Sequence, residues 1–431
     1  MLWLNFLHFY QPANAEFYNI RKALDKSYWR LLRLLEEHPD LKFTANISGC
    51  LLDRLANEKE TAFLDRLKFL VKKGRLELVG SAAYHGFLPL LPEREVVRQI
   101  KENEKILRKY FGKNFKPTGF FLPEMAYAPS VAKIIKRLGY SWIIVDEISF
   151  GGEMLKRPDT SKHSDISKRP DFRQAYVDDN SGLRVIFRNR EFSGAYPPDK
   201  ILPLLIQGEA AASDVRKVEP GVKQAAPEVK KAAPESPLII TATDAELYGL
   251  RHEDPTGEME KIVKAKNLET MTMSRFMARN KTKKPVRIKL LPSSWESTPK
   301  EVGAGHPYAL WRNPKNKIQV YLWRLAELSL ALGEKNKKDK NIYWHKWHLE
   351  RGLASCTFWW ASARDFKPVF GPYAWSPDDI ERGLEDMIRS VRSFSDFKTK
   401  KKKLEAEAYY LKIKKMIWEE HWKKHWKKQY E

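Results

Sequence analysis

Cysteine is nearly absent: Cys50 and Cys356 are the only two in 431 residues. Two thiols so far apart in sequence build neither a disulfide framework nor a paired-cysteine zinc site, and the expected compartment is a reducing cytoplasm. Long apolar runs are also missing. No stretch reaches the roughly 18 uninterrupted apolar residues of a membrane span. The opening MLWLNFLHFYQP has no basic start and no small-residue cleavage site, and Asn5 and His8 break its apolar run, so it reads as a first β-strand rather than a leader. Acidic residues are scarce relative to basic ones, 55 against 78, for a formal charge of +23. The segment from Phe397 to Glu431 holds twelve lysines and five acids, and the rest of the excess is spread along the chain. A diffuse positive surface serves solubility more readily than recognition, so no specific nucleic-acid partner is expected.

What is present is ample core material, 42% hydrophobic and 12% aromatic residues, enough for more than one domain. Up to about Leu291, short apolar runs alternate with longer amphipathic ones, the pattern of repeated β/α units. The strands expected are Leu2–Leu7, Phe43–Ile47, Leu76–Val79, Gly119–Leu122, Trp142–Val145, Arg184–Phe187 and Leu238–Thr243. Stretches such as Glu58–Lys73 and Arg94–Tyr110 carry apolar residues at helical spacing. The expected fold class is therefore α/β, a seven-stranded β/α barrel over 1–297 followed by an α-helical C-terminal domain over 298–431. Residues 207–237, rich in Ala, Pro, Lys and Glu and without an aromatic side chain, read as a flexible insertion before the seventh strand. In the C-terminal part, helices are expected at Asn316–Leu332, Tyr343–Trp359, Pro377–Phe394 and Lys402–Trp426. The last places Trp418, Trp422 and Trp426 on one stripe, which is expected to dock internally.

In a barrel of β/α units, reacting groups sit where strands end and loops begin. His8 and Gln11 stand at or just beyond the first strand's end, Glu77 in the third, Glu124 after the fourth in GFFLPEMAY, and Asp244 at the end of the seventh in LIITATDAELYG, with Glu246 two residues on. Glu124 follows an apolar strand directly, and its structural alternative is a buried ion pair. For Asp244 the alternative is a helix N-cap. His85, in AAYHGFLPLLP, is a candidate at the barrel mouth, with a loop hydrogen-bonding role as its alternative.

These segments resemble glycoside hydrolase family 57, retaining enzymes acting mostly on α-glucans, and the resemblance runs over almost the whole chain. His8-Phe9-Tyr10-Gln11-Pro12 is similar to the family's His-x-His-Gln-Pro, with Tyr10 where the second His stands. Gly74-Arg75-Leu76-Glu77 is similar to its Gly-x-hydrophobic-Glu, and Leu122-Pro123-Glu124-Met125-Ala126-Tyr127 to its nucleophile motif. Asp244-Ala245-Glu246-Leu247-Tyr248-Gly249 resembles Asp-x-Glu-x-aromatic-Gly, which bears the acid/base. Ser355-Cys356-Thr357-Phe358-Trp359-Trp360 matches the fifth motif loosely, with aromatics where some members have an Asp.

The resemblance implies Glu124 as nucleophile, Asp244 as general acid/base, and sugar contacts from His8, Glu77 and Glu246. It also implies a barrel of seven β/α units followed by a helical bundle. Retaining cleavage needs one charged and one protonated carboxyl group, so Glu124 has to be ionised at working pH and Asp244 has to carry a proton. Aromatic platforms receive sugar faces, and of Trp295, Trp311, Trp359, Trp360 and Trp375 the expected ones are Trp295 and Trp360. Neither a metal nor a cofactor is expected. Two alternatives stay open: a glucan-binding relative without activity, and a metal-dependent carbohydrate deacetylase. For the latter, His345/His348 and His421/His425 fall at helical spacing but lack a third ligand and read as ordinary helix residues.

Overall fold

A computed structural model of the chain describes residues 1–150, 169–216, 236–280, 284–364, 374–395 and 397–426. Among them are ten strands: β1 (Leu2–Phe9), β2 (Phe43–Ile47), β3 (Leu76–Leu78), β4 (Gly119–Phe121), β5 (Trp142–Asp146), β6 (Tyr176–Asp178), β7 (Arg184–Arg188), β8 (Leu238–Asp244), β9 (Glu269–Thr270) and β10 (Val286–Ile288). All eight residues of β1 are buried, because a parallel strand covered on both faces is apolar along its length rather than alternating.

The strands form two five-stranded sheets, and among the described residues no continuous ladder closes them into a seven-stranded barrel. One has the order β3-β2-β1-β8 with β9 beside β1, and the other runs β10-β6-β7-β5-β4. Every pairing is parallel except β6 with β7. The seven expected runs each carry a strand, four in the first sheet and three in the second. The sheets touch at two places through short backbone contacts rather than ladders. Gly80 pairs with Phe120 beyond the end of β3, and Asn189 N–H donates to the Ile240 carbonyl at 2.7 Å beyond the end of β7. The first join is tight enough to demand glycine. A Cβ on Gly80 would lie 2.3 Å from the Tyr140 hydroxyl, and one on Gly119 would lie 2.1 Å from the Trp142 ring.

Amphipathic helices cover the sheets, among them Thr61–Lys72 and Glu93–Phe111. The helix Pro197–Arg216 runs through the first ten residues of the expected flexible insertion. The remainder of that insertion, 217–235, lies outside the described residues. The C-terminal region is helical, with Lys317–Lys335, Ile342–Gly352, Ser355–Trp360, Pro377–Arg392 and Lys400–Glu420. Its apolar side chains share one core cluster with β4, β5 and β7, running from Ala82 through Phe120, Val145 and Phe187 to Leu384 and Ile417. The helical region therefore has no core of its own.

The tryptophan stripe is a correction. Trp422 is 53% and Trp426 39% exposed, while Trp418 is half-buried and donates its indole N–H to Glu381 at 2.5 Å. The buried stripe is the neighbouring one, Ile417, His421 and His425, one residue and so about 100° round the helix. His421 accepts from the Trp375 indole at 3.4 Å, and His425 packs on the same ring. His345 and His348 face Ser390 O and Asp386, so all four are packed helix residues. Among the described residues no helix is long and apolar enough to cross a membrane.

Candidate active site

The β1–β8 register sets His8 opposite Asp244 and the β1–β2 register sets it opposite Asn46, so three polar side chains meet at the carboxyl ends of adjacent parallel strands. His8 Nδ1 lies 2.8 Å from Asn46 Oδ1. That oxygen only accepts, so Nδ1 carries the proton and Nε2 is left as an acceptor. Burial is the main cause that lowers His8 to a pKa of about 4, opposed in part by Asp244, and the ring is neutral at physiological pH. Its Nε2 has no partner among the described residues.

Glu124 stands across from this group, just past β4. Its backbone is left-handed, φ 59°, and so is that of Met125, φ 47°. Such a conformation costs a residue with a Cβ about 1–2 kcal/mol. The turn is fastened by a short antiparallel pairing of Tyr127 with Ser293 and by Trp295 N–H donating to Glu124 O at 3.2 Å. The same segment carries the Trp295 indole to the carboxylate, where Nε1–H donates to Oε2 at 2.9 Å. Ser355 Oγ–H donates to Oε1 at 2.7 Å. Both carboxylate oxygens thus accept a hydrogen bond, an arrangement that suits the ionised form. Burial nonetheless pushes Glu124 up to about 8; the Ser355 donor pulls it down, Asp244 and Glu296 raise it, and Trp295 again lowers it.

His85 is buried with a left-handed backbone, φ 55°. Its Nδ1 lies 2.8 Å from Ser355 Oγ and 3.8 Å from Glu124 Oε1. The ring is layered with Tyr10, centroids 4.0 Å apart, and with His8 at 4.7 Å. His8 in turn stacks on Phe121 at 4.6 Å and meets Trp295 edge-on at 6.2 Å. Burial, then the neighbouring His8, hold His85 well below the usual histidine range, and its Nε2 is also without a partner among the described residues.

Asp244 Oδ2 accepts from Arg251 Nη1 at 2.6 Å, an ion pair that is one-quarter exposed on the acid and 47% on the base. Beneath it Glu246 is buried and accepts from Gln11 Nε2 at 2.8 Å and from the Tyr28 hydroxyl. Burial raises Glu246 to about 7, with Arg251 opposing and Asp244 adding. Behind Trp295, Arg188 stacks 5.3 Å from its ring. Arg188 is tied to Asp146 at 2.6 Å and to the Ala242 carbonyl at 2.9 Å, a buried strut from β5 and β7 to β8.

The structure thus brings together His8, Gln11, His85, Glu124, Asp244, Glu246 and Trp295. It does not bring Glu77. That carboxylate pairs with Thr44 in the β2–β3 register, accepting from Thr44 Oγ1 at 2.9 Å and from Ser274 N–H at 3.1 Å. Ser274 lies in the first turn of the helix Met273–Arg279, whose N-cap is Thr272. In register Glu77 stands level with Thr44 and Phe6, two residues below His8, with its carboxylate held by Thr44 and Ser274. Trp360 is half-buried on the helix that Ser355 begins, whereas Trp311 and Trp375 are core. Sequence reasoning quoted Ser355 only as the first residue of the loosely matched fifth motif and did not single out Arg251, Tyr28 or Arg188. Of these three only Arg251 left a signal, a cation seven residues beyond Asp244.

The model for glycosyl hydrolase family 57 matches residues 4–289, two thirds of the chain, and the protein belongs to that family. It is 30% identical over 153 residues to alpha-amylase 1 of Dictyoglomus thermophilum, covering 36% of this chain and 22% of that one. To the 4-alpha-glucanotransferase of Thermococcus litoralis it is 26% identical over 181 residues, 42% of this chain and 25% of that one. The aligned part thus spans about a quarter of the length of these curated relatives. Among solved structures, the fold is similar to that of a branching enzyme from Thermococcus kodakaraensis, with a TM-score of 0.64 and 18% identity over 96% of this chain and 95% of that one.

Proposed function

We propose that the protein is a retaining glycoside hydrolase or glucanotransferase acting on α-glucans, with Glu124 as nucleophile and Asp244 as general acid/base. The observation that carries this reading is the Glu124 carboxylate, held by donors on both oxygens at the end of β4, within electrostatic reach of Asp244 at the end of β8. The substrate class comes from the relatives' names, alpha-amylase and 4-alpha-glucanotransferase. In this reading the two sheets act as one barrel, supported by the joins at Gly80 and Asn189, and the C-terminal helices pack onto it through a shared core. The two free, buried cysteines suit the cytoplasmic expectation.

In the first step Glu124 attacks the anomeric carbon as Asp244 gives its proton to the departing glycosidic oxygen. In the second, Asp244 takes a proton from water or a sugar hydroxyl, which attacks the glycosyl-enzyme and frees Glu124. Two carboxyl groups suffice, and no cofactor is required. The neutral rings of His8 and His85, whose buried Nε2 atoms have no partner among the described residues, become acceptors for sugar hydroxyls only if substrate reaches them, Gln11 and Glu246 form the polar floor, and Trp295 and Trp360 offer ring faces. For Asp244 to exchange its proton, the Arg251 contact has to give way as the sugar oxygen arrives.

That ion pair favours a second reading in which the roles are reversed, with Asp244 attacking and Glu124 donating. Trapping with a slow 2-fluoro glycoside and locating the adduct by peptide mass decides between them: an adduct on Asp244 would reverse the assignment. Incubation with maltooligosaccharides of defined length tests the class. Shorter chains alone mean hydrolysis, longer ones as well mean transfer, and a β-anomeric first product seen by NMR would overturn retention.

A further inference from the structure

Ser355 is delivered to the site from a distant part of the chain. Its N–H donates to the His85 carbonyl at 3.0 Å, and the preceding Ala354 pairs with Gly86, so the loop after β3 and the start of the helix Ser355–Trp360 are pinned backbone to backbone. The side chain is fully buried. A serine hydroxyl has one proton and can point it at only one partner. Here the partners are Glu124 Oε1 at 2.7 Å and His85 Nδ1 at 2.8 Å. A carboxylate accepts only, so the hydroxyl donates to Glu124 and accepts from His85 Nδ1–H. The tautomer of His85 then fixes which way the hydroxyl points, and the rings of Tyr10 and His8 stacked against His85 fix the imidazole.

We infer that Ser355, aimed by His85, is a positioning residue that holds Glu124 as an ionised, correctly turned nucleophile. The inference rests on the functional reading above. Other ionisable groups face the carboxylate from every side. They are Asp244 from β8, Glu296 beside Trp295, His85 from the loop after β3, Tyr10 from the end of β1 and Cys356 next to Ser355. Burial keeps Tyr10 and Cys356 protonated and His85 neutral. Asp244 and Glu296 are both negative and oppose ionisation of Glu124, whereas the hydrogen bonds from Ser355 and Trp295 favour it, Ser355 the more strongly; the nearby cations Arg251 and Arg188 are engaged with Asp244 and Asp146.

The test compares Ser355→Ala and Ser355→Thr with wild type. The Ala variant is expected to lose about 10- to 100-fold in kcat/KM, the equivalent of one hydrogen bond to a charged group. The acidic limb of its pH profile is expected to move up by about one unit, and Thr, which keeps the hydroxyl, is expected to restore part of both. A purely structural serine would lower activity and melting temperature together and leave the limb where it was, and that result overturns the inference. Glu124 can also be titrated without turnover, from the carboxyl band in the infrared difference between each Ser355 form and its Glu124→Gln counterpart. A midpoint unchanged by Ser355→Ala refutes the inference even if α-glucans prove not to be substrates. A moved midpoint in an enzyme inactive on α-glucans supports the hydrogen-bond role and removes only the functional reading.

Discussion

Trp295→Phe isolates one interaction at the centre of the site. The substitution keeps an aromatic ring against Phe121 and His8, 6.1 and 6.2 Å away, and under Arg188, and leaves the backbone bond to Glu124 O. It deletes only the indole N–H that reaches Glu124 Oε2 at 2.9 Å. A hydrogen bond to a charged group contributes about 1.5–3 kcal/mol, and about 1.4 kcal/mol is a factor of ten, so kcat/KM on a maltooligosaccharide falls about 10- to 150-fold. The loss is not uniform in pH. The donor favours the charged form, so its removal raises Glu124 further above about 8. The deficit is therefore largest at acidic pH and narrows once both enzymes are ionised. Initial rates of reducing-end release from pH 5 to 10 measure this. A ratio of mutant to wild type that is constant across that range would show that Trp295 acts by packing alone, and the account of Glu124 would have to be abandoned.

Other expectations concern the same residues from different sides. Glu124→Gln should form no glycosyl-enzyme, whereas Asp244→Asn should keep activity on substrates with good leaving groups and be partly rescued by azide; equal inactivity of both on an activated glycoside would contradict the roles. Because folding raises the Glu124 pKa from about 4.5 to about 8, the folded state holds this proton more tightly. Wild-type stability from this group is full below about pH 4.5 and is lost as pH rises through 8. Glu124→Gln should accordingly melt at a similar temperature to wild type at pH 4.5 and progressively higher above it, and a gap that shrinks with pH would be the wrong sign. Arg188→Met removes the nearer of the two cations at the buried Asp146 carboxylate, leaving Arg190 at 3.6 Å and the Ile148 N–H at 3.0 Å, and should cost up to about 3–5 kcal/mol, most of it recovered by also replacing Asp146 with Leu, as read from denaturation midpoints. Glu77→Gln should lower the melting temperature slightly while leaving KM unchanged, and a raised KM would return Glu77 to the substrate side.

The sequence made the strands that carry the chemistry readable because their polar residues interrupt otherwise continuous apolar runs: His8 in β1, Asp244 closing β8, Glu124 just past β4. The strands it did not reveal, β6, β9 and β10, are two or three residues long, too short for any period to register. Strand periodicity gives the face of a side chain but not its partners, which is why the hydrogen bonds that tie Glu77 to Thr44 and Ser274 were not foreseen. The division into two sheets depends on a one-residue contact at Gly80 that no pattern encodes. In the last helix, stripes one residue apart are both plausible cores by spacing, and the shape of the neighbouring surface chose Ile417, His421 and His425 over the tryptophans. Ser355 was hidden for a different reason, since a serine at the start of a short helix carries no mark of a carboxylate 231 positions earlier.

The pinning of Ala354 and Ser355 to the His85–Gly86 loop has a consequence for how this chain can be cut and recombined. A fragment ending near residue 297 would retain both carboxyl groups and the indole, yet would lack the hydroxyl on Glu124 Oε1 and the backbone partner that shapes the His85 turn. Swapping the helical third with that of a relative is therefore not a neutral graft, because each half of the hybrid would carry one side of a hydrogen bond matched to the other. Compatible exchanges should be those that move the loop after β3 and the start of the 355–360 helix together.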